Sequence, residues 1–251
     1  MSNMKRLAIL LPTILFAAVM VSAQDEVPTI NPQGAFMDAE GKEETGTSFS
    51  GSAPVTARFE ANPENVGSWS ENYEWRFTLE QEGSTPNPEP YLVRYERDTE
   101  YTFTQAGTHK IVCYAIFTLG NDTIAYTKDY YQGEGVPISI SIAESKLDMP
   151  NAFTPNGDSK NELYQAKKDY KSIVEFKAVI YNRWGQKLYE WDDPAEGKGW
   201  DGTYNGNNCK QGVYFVEVKA KGADGKKYHI KRDVNLIRGI REKESNTSTA
   251  P

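Results

Sequence analysis

The feature that most constrains the fold of this chain is a series of short motifs in its C-terminal part, rich in aromatic residues, glycine and asparagine. They read PNAFTPNGDSKNELY from Pro150, IYNRWGQKLYEW from Ile180, GWDGTYNGNNCKQGVYFVEV from Gly199 and HIKRDVNLIRG from His229. Glycine and asparagine adopt the backbone conformations of tight turns, whereas aromatic and β-branched residues favour strands. The motifs therefore predict short strands joined by tight turns.

Two β-hairpins are predicted in this region. Residues 173–180 alternate apolar and polar side chains, which indicates a strand with one face on a core. Residues 182–185 form the turn into the next strand, with Gly185 supplying a positive φ. The Asp224-Gly225 dipeptide predicts a second hairpin, because it is a strong turn signal between two extended segments.

The apolar strand over residues 212–218 completes this pattern. We expect Val213 and Phe215 to face the core from it. Short strands at close spacing, without a helical period, predict an all-β fold, and the length suits two immunoglobulin-like β-sandwich domains in tandem.

In their order and spacing, the C-terminal motifs resemble the gliding-motility-associated C-terminal domain of Bacteroidetes proteins, the type B sorting domain of the type IX secretion system. The resemblance assigns residues 148–239 to this domain. It implies that outer-membrane components of the type IX translocon recognise the folded domain, and that the protein is displayed at the cell surface or released outside the cell. The motif residues, structural or recognised, are Asn151, Phe153, Pro155, Asn156, Gly157, Asp158, Asn161, Tyr181, Asn182, Arg183, Trp184, Gly185, Trp200, Asp201, Gly202, Gly212 and Tyr214.

Four of these residues are candidates for direct recognition, because turns and strand edges are the accessible parts of a sandwich: Arg183, Trp184, Trp200 and Asp201. Trp184 and Trp200 can instead fill the core, and this is the interpretation that we favour for both.

Residues 156–162 carry carboxylate and amide side chains of the kind that bind calcium. The resembling family usually has glycine where this chain has Ser159 and aspartate where it has Glu162, and Lys160 adds a positive charge. We therefore expect a turn in which Asn156 and Asp158 bond to the backbone, with no metal.

The N-terminus has the pattern of a signal peptide over residues 1–23, with Lys5 and Arg6 before an apolar stretch and small residues at its end. Residues 24–53 are expected to form a flexible leader, and residues 240–251 a polar tail. Residues 24–147 carry 8 basic and 20 acidic side chains, against 18 basic and 15 acidic in residues 148–251. Nucleic acid is not an expected partner of such an exported acidic protein.

Residues 54–147 resemble PKD-type immunoglobulin-like domains. The resemblance rests on Trp75, on a Tyr-x-Phe strand from Tyr101, on the Ala106-Gly107-Thr108 turn and on the alternating strand after it. Trp75 is expected to be a core residue between two sheets. The resemblance implies a domain that binds a protein or a surface glycan.

Catalytic motifs are not recognised in the sequence. His109 and His229 lie in predicted strands without a nucleophile motif or metal-ligand spacing. Cys113 and Cys209 fall in different predicted domains, so free thiols are favoured over a disulfide. We expect a non-enzymatic, cofactor-free protein of the cell surface, associated with the outer membrane or released. A structural subunit of an outer-membrane or envelope assembly is the alternative.

Overall fold

The computed structural model describes residues 26–37, 42–80 and 89–238. The predicted signal peptide and polar tail lie outside these residues. The strands in chain order are β1 (Gln33–Met37), β2 (Glu43–Gly46), β3 (Ser48–Gly51), β4 (Val55–Glu60), β5 (Ser70–Glu80), β6 (Leu92–Arg94), β7 (Asp98–Phe103), β8 (Gly107–Leu119), β9 (Asp122–Tyr126), β10 (Ile138–Ile142), β11 (Ala152–Phe153), β12 (Ile173–Tyr181), β13 (Lys187–Trp191), β14 (Thr203–Tyr204), β15 (Asn207–Asn208), β16 (Gly212–Gly222) and β17 (Lys227–Leu236). A short helix, α1 (Lys128–Gly133), follows β9.

The first ten strands build a β-sandwich, the first domain. One sheet has the order β2-β1-β4-β7, and the other has the order β3-β10-β8-β5-β6, with β9 beside β8. An aromatic core fills the space between them, in which the Phe59 and Phe77 rings meet edge to face at 5.3 Å. Trp75 is fully buried, which confirms its predicted place in the core. Strand β8 alternates buried and more exposed residues, as a half-buried strand does.

The flexible leader predicted for residues 24–53 needs correction. Three of the strands, β1, β2 and β3, lie within it. Strand β1 pairs with β4, and β3 pairs in parallel with β10, so both sheets include this segment. Phe36 stacks on Phe49 with ring centroids 4.1 Å apart. These two aromatic side chains give a polar segment enough apolar surface to join the sandwich.

The second domain contains one five-stranded sheet with the order β11-β17-β16-β12-β13. Its other layer consists of the segments over residues 154–172 and 192–211, which contain the two-residue strands β14 and β15. Fully buried Tyr164 and Trp200 connect the two segments through paired backbone hydrogen bonds of 2.8 and 3.1 Å. The all-β class with immunoglobulin-like sandwich domains is confirmed, and both predicted hairpins are present.

The residues of β16 that face the core are not the predicted ones. Val213 and Phe215 are 49% and 42% exposed, whereas Tyr214, Val216 and Val218 belong to the core. The register with β17 sets this facing, because it places Tyr214 opposite buried Val234. Val213 and Phe215 therefore lie on the outer face of the sheet.

The two domains are in direct contact. The Ala53 N–H donates to Ser172 Oγ at 3.1 Å, and the Ala106 N–H donates to the carbonyl of Ala223 at 3.0 Å. Ala223 is buried within the core cluster of the first domain. Ser145, between the domains, donates from Oγ to Asp224 Oδ1 at 2.7 Å. The turn between β16 and β17 thus docks onto the first domain.

Within residues 26–37, 42–80 and 89–238, the structure has no helix of sufficient length and apolar character to cross a bilayer.

Candidate functional site

The predicted motif residues belong to the second domain, and many of them lie at the end of its sheet that points away from the first domain. We call this the distal end; there β12 ends at Tyr181, β16 begins at Gly212 and β17 ends at Leu236. Their exposure divides them into three groups: exposed Asn151, Asn156, Gly157, Asp158, Asn161, Arg183, Trp184, Gly185 and Asp201; half-buried Pro155, Tyr181, Asn182, Gly212 and Tyr214; and buried Phe153, Trp200 and Gly202.

The turn between β12 and β13 is organised by Asn182. Its side-chain Oδ1 accepts the backbone N–H groups of Trp184 and Gln186, each at 3.0 Å. Its Nδ2 donates to Gln186 Oε1 at 2.9 Å. Gly185 has a φ of 78°, the left-handed conformation that the sequence predicts for it. An asparagine and a glycine at these two positions therefore fix the turn.

Trp184 projects from this turn into solvent. Its side chain is 80% exposed, so the favoured interpretation of Trp184 as a core residue is wrong. The Arg183 guanidinium lies over its ring, 5.1 Å from the centroid. The cause is geometric, since the side chain leaves from the tip of a two-stranded turn beyond the last core residues.

Trp200 has the core role that the sequence favours. It is fully buried, and its Nε1 donates to the carbonyl of Thr203 at 2.7 Å. Its ring packs against Phe153 and Tyr214, with centroid distances of 5.3 and 5.0 Å. Because a buried indole N–H needs an acceptor, the turn after Trp200 and the core position of the ring depend on each other.

Gly202 and Arg238 connect three parts of the distal end. Gly202 has a φ of 78°, and a Cβ there would lie 3.0 Å from Leu236 and 3.1 Å from Pro155. Arg238 donates from Nη1 to the Pro155 carbonyl at 3.0 Å and from Nη2 to the Gly202 carbonyl at 2.9 Å. Sequence reasoning did not select Arg238, although it stands in the last motif. An arginine two residues after the final strand is the signal that could have found it.

The loop over residues 156–162 has the predicted turn geometry. Asn156 Oδ1 accepts the N–H of Asp158 at 3.1 Å, and Asp158 Oδ1 accepts that of Lys160 at 2.8 Å. Glu162 Oε1 accepts the N–H groups of Gly157 and Ser159. The oxygens that could bind calcium thus hold the backbone of the loop. In the described part of the chain, no three His, Cys, Asp or Glu side chains are grouped as metal ligands.

The histidine of the first domain is held between two partners. His109 is buried, with Nδ1 2.9 Å from the Tyr91 hydroxyl and Nε2 2.9 Å from the Gln105 carbonyl. The carbonyl can only accept, so Nε2 carries the proton and Nδ1 accepts from Tyr91. Burial lowers the pKa of His109. The imidazole is therefore neutral at physiological pH, with both nitrogens occupied.

The two cysteines are free thiols in different environments. Cys113 is buried in β8, and burial raises its pKa to about 12. Cys209 is half-buried near the distal end, and partial burial raises its pKa as well. Because the thiolate is the nucleophile, both environments disfavour cysteine chemistry at neutral pH.

Together, the fold and the motif geometry define a protein whose second domain is a small β-sandwich closed by specific turns. Residues 147–232 match the family model of the CHU_C Type IX secretion signal domain. No curated protein sequence matches the chain.

The similarity of this chain to solved structures is remote. Dimeric latent PorU from Porphyromonas gingivalis aligns at 9% identity and a TM-score of 0.24, over 86% of this chain and 21% of that one. The FN1–FN3 domains of chicken CNTN1 align at 7% identity and a TM-score of 0.23, over 80% of this chain and 76% of that one. This chain thus spans about a fifth of the PorU chain. Neither likeness is strong enough to indicate a shared function.

Proposed function

We propose that this protein is exported through the type IX secretion system by its C-terminal domain and reaches the cell surface or the extracellular space. The observation that carries the proposal is the match of residues 147–232 to the type IX secretion signal domain. The match includes the ordered turn at Asn182 and the buried turn at Trp200 and Gly202. Outer-membrane components of the translocon are the proposed partners, and a Bacteroidetes origin stays a prediction.

The first domain is proposed to act outside the cell as a non-enzymatic module that binds a protein or a glycan. A shallow groove of about 620 Å³ supports this, because it is lined by aromatic and acidic side chains that include Tyr95, Tyr114, Glu71 and Glu74. Tyr95 is 77% exposed, and aromatic surfaces of this kind are frequent in binding sites. The relation to PKD-type domains stays a prediction.

A structural subunit of an outer-membrane or envelope assembly is the second candidate. The hydrogen-bonded contact between the domains favours it, since Ser172 and Ala223 join the two domains rather than leaving them on a free tether. The two candidate functions predict different behaviour when the protein is purified. A binding module retains affinity for a soluble glycan or protein after purification, whereas a structural subunit purifies with envelope assemblies.

The export proposal is tested with the full chain in two strains of one bacterium that differ only in a functional type IX system. Protease accessibility on intact cells measures the fraction at the surface, and the culture medium is assayed for released protein. We expect external protein in the competent strain and periplasmic protein in the other. Equal external delivery in both strains would contradict the proposal.

A second arm places residues 148–251 at the C-terminus of an exported fluorescent protein. We expect this fusion to reach the surface in the competent strain, while the fluorescent protein alone stays periplasmic. The fusion tests the export signal without the first domain. In this fusion the turn at Ala223 is no longer covered by the first domain.

A further inference from the structure

We propose that the exposed apolar surface at the distal end is the face by which a protein partner binds the second domain. The distal patch consists of Tyr181, Trp184, Val213, Phe215 and Ile237. The partner offers an apolar groove with a carboxylate at its rim. This inference rests on the proposed function, because it assigns the surface through which the export signal is read.

Trp184 is presented from a turn whose backbone is held by hydrogen bonds. In the turn that carries it, the side chains of Asn182 and Gln186 take part in four hydrogen bonds. Asn182 Oδ1 accepts two backbone N–H groups, Asn182 Nδ2 donates to Gln186 Oε1, and Gln186 Nε2 donates to the Tyr204 hydroxyl at 3.1 Å. A surface that is ordered before binding loses less conformational entropy when a partner docks. Tryptophan and arginine are also the residues most enriched among binding hot spots. Trp184, which is 80% exposed and lies beside Arg183, thus combines an ordered turn with the residue types of a binding hot spot.

The strand register places Tyr181, Phe215 and Val213 together on one face of the sheet. Tyr181 lies opposite Phe215, and Val213 lies two residues along the same face of β16. The turn of Trp184 follows Tyr181 directly, at the same end of the sheet as Val213. Val213 pairs with Asn235 of β17. Ile237 is two residues after Asn235 and therefore lies on the same face of the sheet as Val213. Val213, Phe215 and Ile237 are all between 42% and 49% exposed, and contiguous apolar surface of this kind marks interaction sites.

The other half of the same sheet face has a different character. Glu217 lies 2.8 Å from His229, 3.4 Å from Lys231 and 3.7 Å from Lys219, and Lys221 pairs with Glu175 at 3.4 Å. Each of these lysines has a carboxylate partner within the sheet, and the charges keep that half well solvated. The apolar residues are therefore confined to the distal half, which argues against a general excess of apolar surface.

The position of the first domain leaves the distal end accessible. It covers the opposite end of the second domain, where Ala223 and Ser172 are buried. A partner that reads the export signal on the folded two-domain chain can therefore approach the distal end without displacing the first domain. The chain also continues past residue 238 from this end.

The charges at the distal patch favour a protein partner over a lipid surface. Arg183 has its ring contact and no ion pair among the residues that the structure describes, so its guanidinium is available for a carboxylate of the partner. Asp233 lies opposite Phe215 on the same face. A carboxylate at this position repels anionic lipid headgroups, whereas a protein rim can provide a matching donor.

The test uses full-length variants in the competent strain. Trp184→Ser and Phe215→Ser remove two exposed aromatic side chains of the patch, and Val136→Ser is the control, because Val136 is a 64% exposed apolar residue of the first domain. We expect the externally delivered fraction to fall at least about tenfold for the double variant and to stay unchanged for the control. Thermal unfolding of the purified proteins checks that the folds are equally stable.

The charge arm compares Arg183→Glu with Lys227→Glu, which reverses a lysine at the other end of the sheet. We expect Arg183→Glu to reduce delivery several-fold and Lys227→Glu to leave it unchanged. Wild-type delivery of a stably folded Trp184→Ser/Phe215→Ser chain would overturn the inference. If delivery nevertheless requires the type IX system, the proposed function stands and this surface alone is rejected.

Two measurements on the purified protein test other occupants. Sedimentation equilibrium tests whether the patch joins two copies of the chain, and co-sedimentation with phosphatidylglycerol–phosphatidylcholine vesicles tests a lipid surface. The inference expects monomers and no vesicle binding. Self-association or vesicle binding that disappears in Trp184→Ser would overturn it in favour of that occupant.

Discussion

The two domains close their cores in different ways. The first domain places one multi-stranded sheet against another, and alternating side chains such as those of β8 fill the space between them. The second domain has one large sheet, and the layer that covers it is made chiefly of turns held by Trp200, Gly202 and Arg238. A layer of turns has few ladder hydrogen bonds, so specific side chains must satisfy its backbone groups.

This difference places different demands on the sequences of the two domains. Many apolar residues can form the alternating face of a strand, so the first domain tolerates varied sequences. The turns of the second domain need particular residues, such as Asn182 to hold its turn and Gly202 to allow close approach of Leu236. The family match accordingly covers residues 147–232.

The largest expected effect is at the tryptophan that holds the turn layer. Trp200→Ala removes a fully buried ring and its bond to Thr203, and we expect a loss of about 3–5 kcal/mol in unfolding free energy. The control, Trp184→Ala, should change stability by less than about 0.5 kcal/mol because Trp184 is exposed. Urea unfolding followed by circular dichroism measures both. Equal effects at the two positions would remove the distinction between a core ring and a surface ring.

The next effect concerns close packing of the same layer. Gly202→Ala combines a left-handed backbone, about 1–2 kcal/mol, with crowding against Leu236 and Pro155, about 1–3 kcal/mol. Gly206 has a similar φ of 74° but open space around it, so Gly206→Ala should lose the backbone part alone. The difference between the two urea midpoints isolates the packing contribution. A Gly206→Ala variant as unstable as Gly202→Ala would contradict this explanation.

A smaller effect is expected where the two domains meet. Ser172→Ala leaves the Ala53 N–H without its buried acceptor, which should cost about 1–3 kcal/mol. Ser141→Ala is the control, because its contact with Thr108 is exposed. Hydrogen exchange of the Ala53 amide reports the change directly. Unchanged protection of that amide in Ser172→Ala would show that the contact does not couple the domains in solution.

The smallest effect is a pH dependence that belongs to the first domain. His109 is buried, whereas His229 in the second domain is exposed. Burial lowers the pKa of folded His109 below its unfolded value of about 6.5. The unfolded state therefore binds the proton more readily, so this stability is present above about pH 6.5 and is lost as the pH falls toward the folded pKa.

The measurement compares urea midpoints at neutral and mildly acidic pH for the wild type and His109→Gln. The variant should have the flatter pH profile, whatever its absolute stability. Parallel profiles for the two proteins would exclude His109 as the source of the acid sensitivity.

Local chemistry allowed several features to be predicted. The turn at Asn182 and Gly185, the Asp224-Gly225 hairpin and the core position of Trp75 all follow from residues that favour one conformation or one environment. The bonds of Asn156 and Asp158 to their own loop belong to the same class.

The errors occurred where local signals were ambiguous. Residues 213–216 are all apolar or aromatic, so alternation alone does not decide which face of β16 is buried, and the prediction of a buried Phe215 is wrong. Residue type alone favours a core position for Trp184, but the tip of a turn lies beyond the core. In the leader, Phe36 and Phe49 are separated by a polar stretch, and their stacking becomes visible only when β1 and β3 join opposite sheets.

The sequence by itself determined the β-rich class, the positions of the tight turns and the relation of the C-terminal motifs to a secretion signal, because these depend on the conformational preferences of single residues and short segments. The tertiary structure alone decided which face of each strand is buried, which tryptophan reaches solvent, and that Arg238 and Ser172 join distant segments. The physical reason is that burial is a property of the pairing between strands and of packing between layers, and partners far apart in the chain set both.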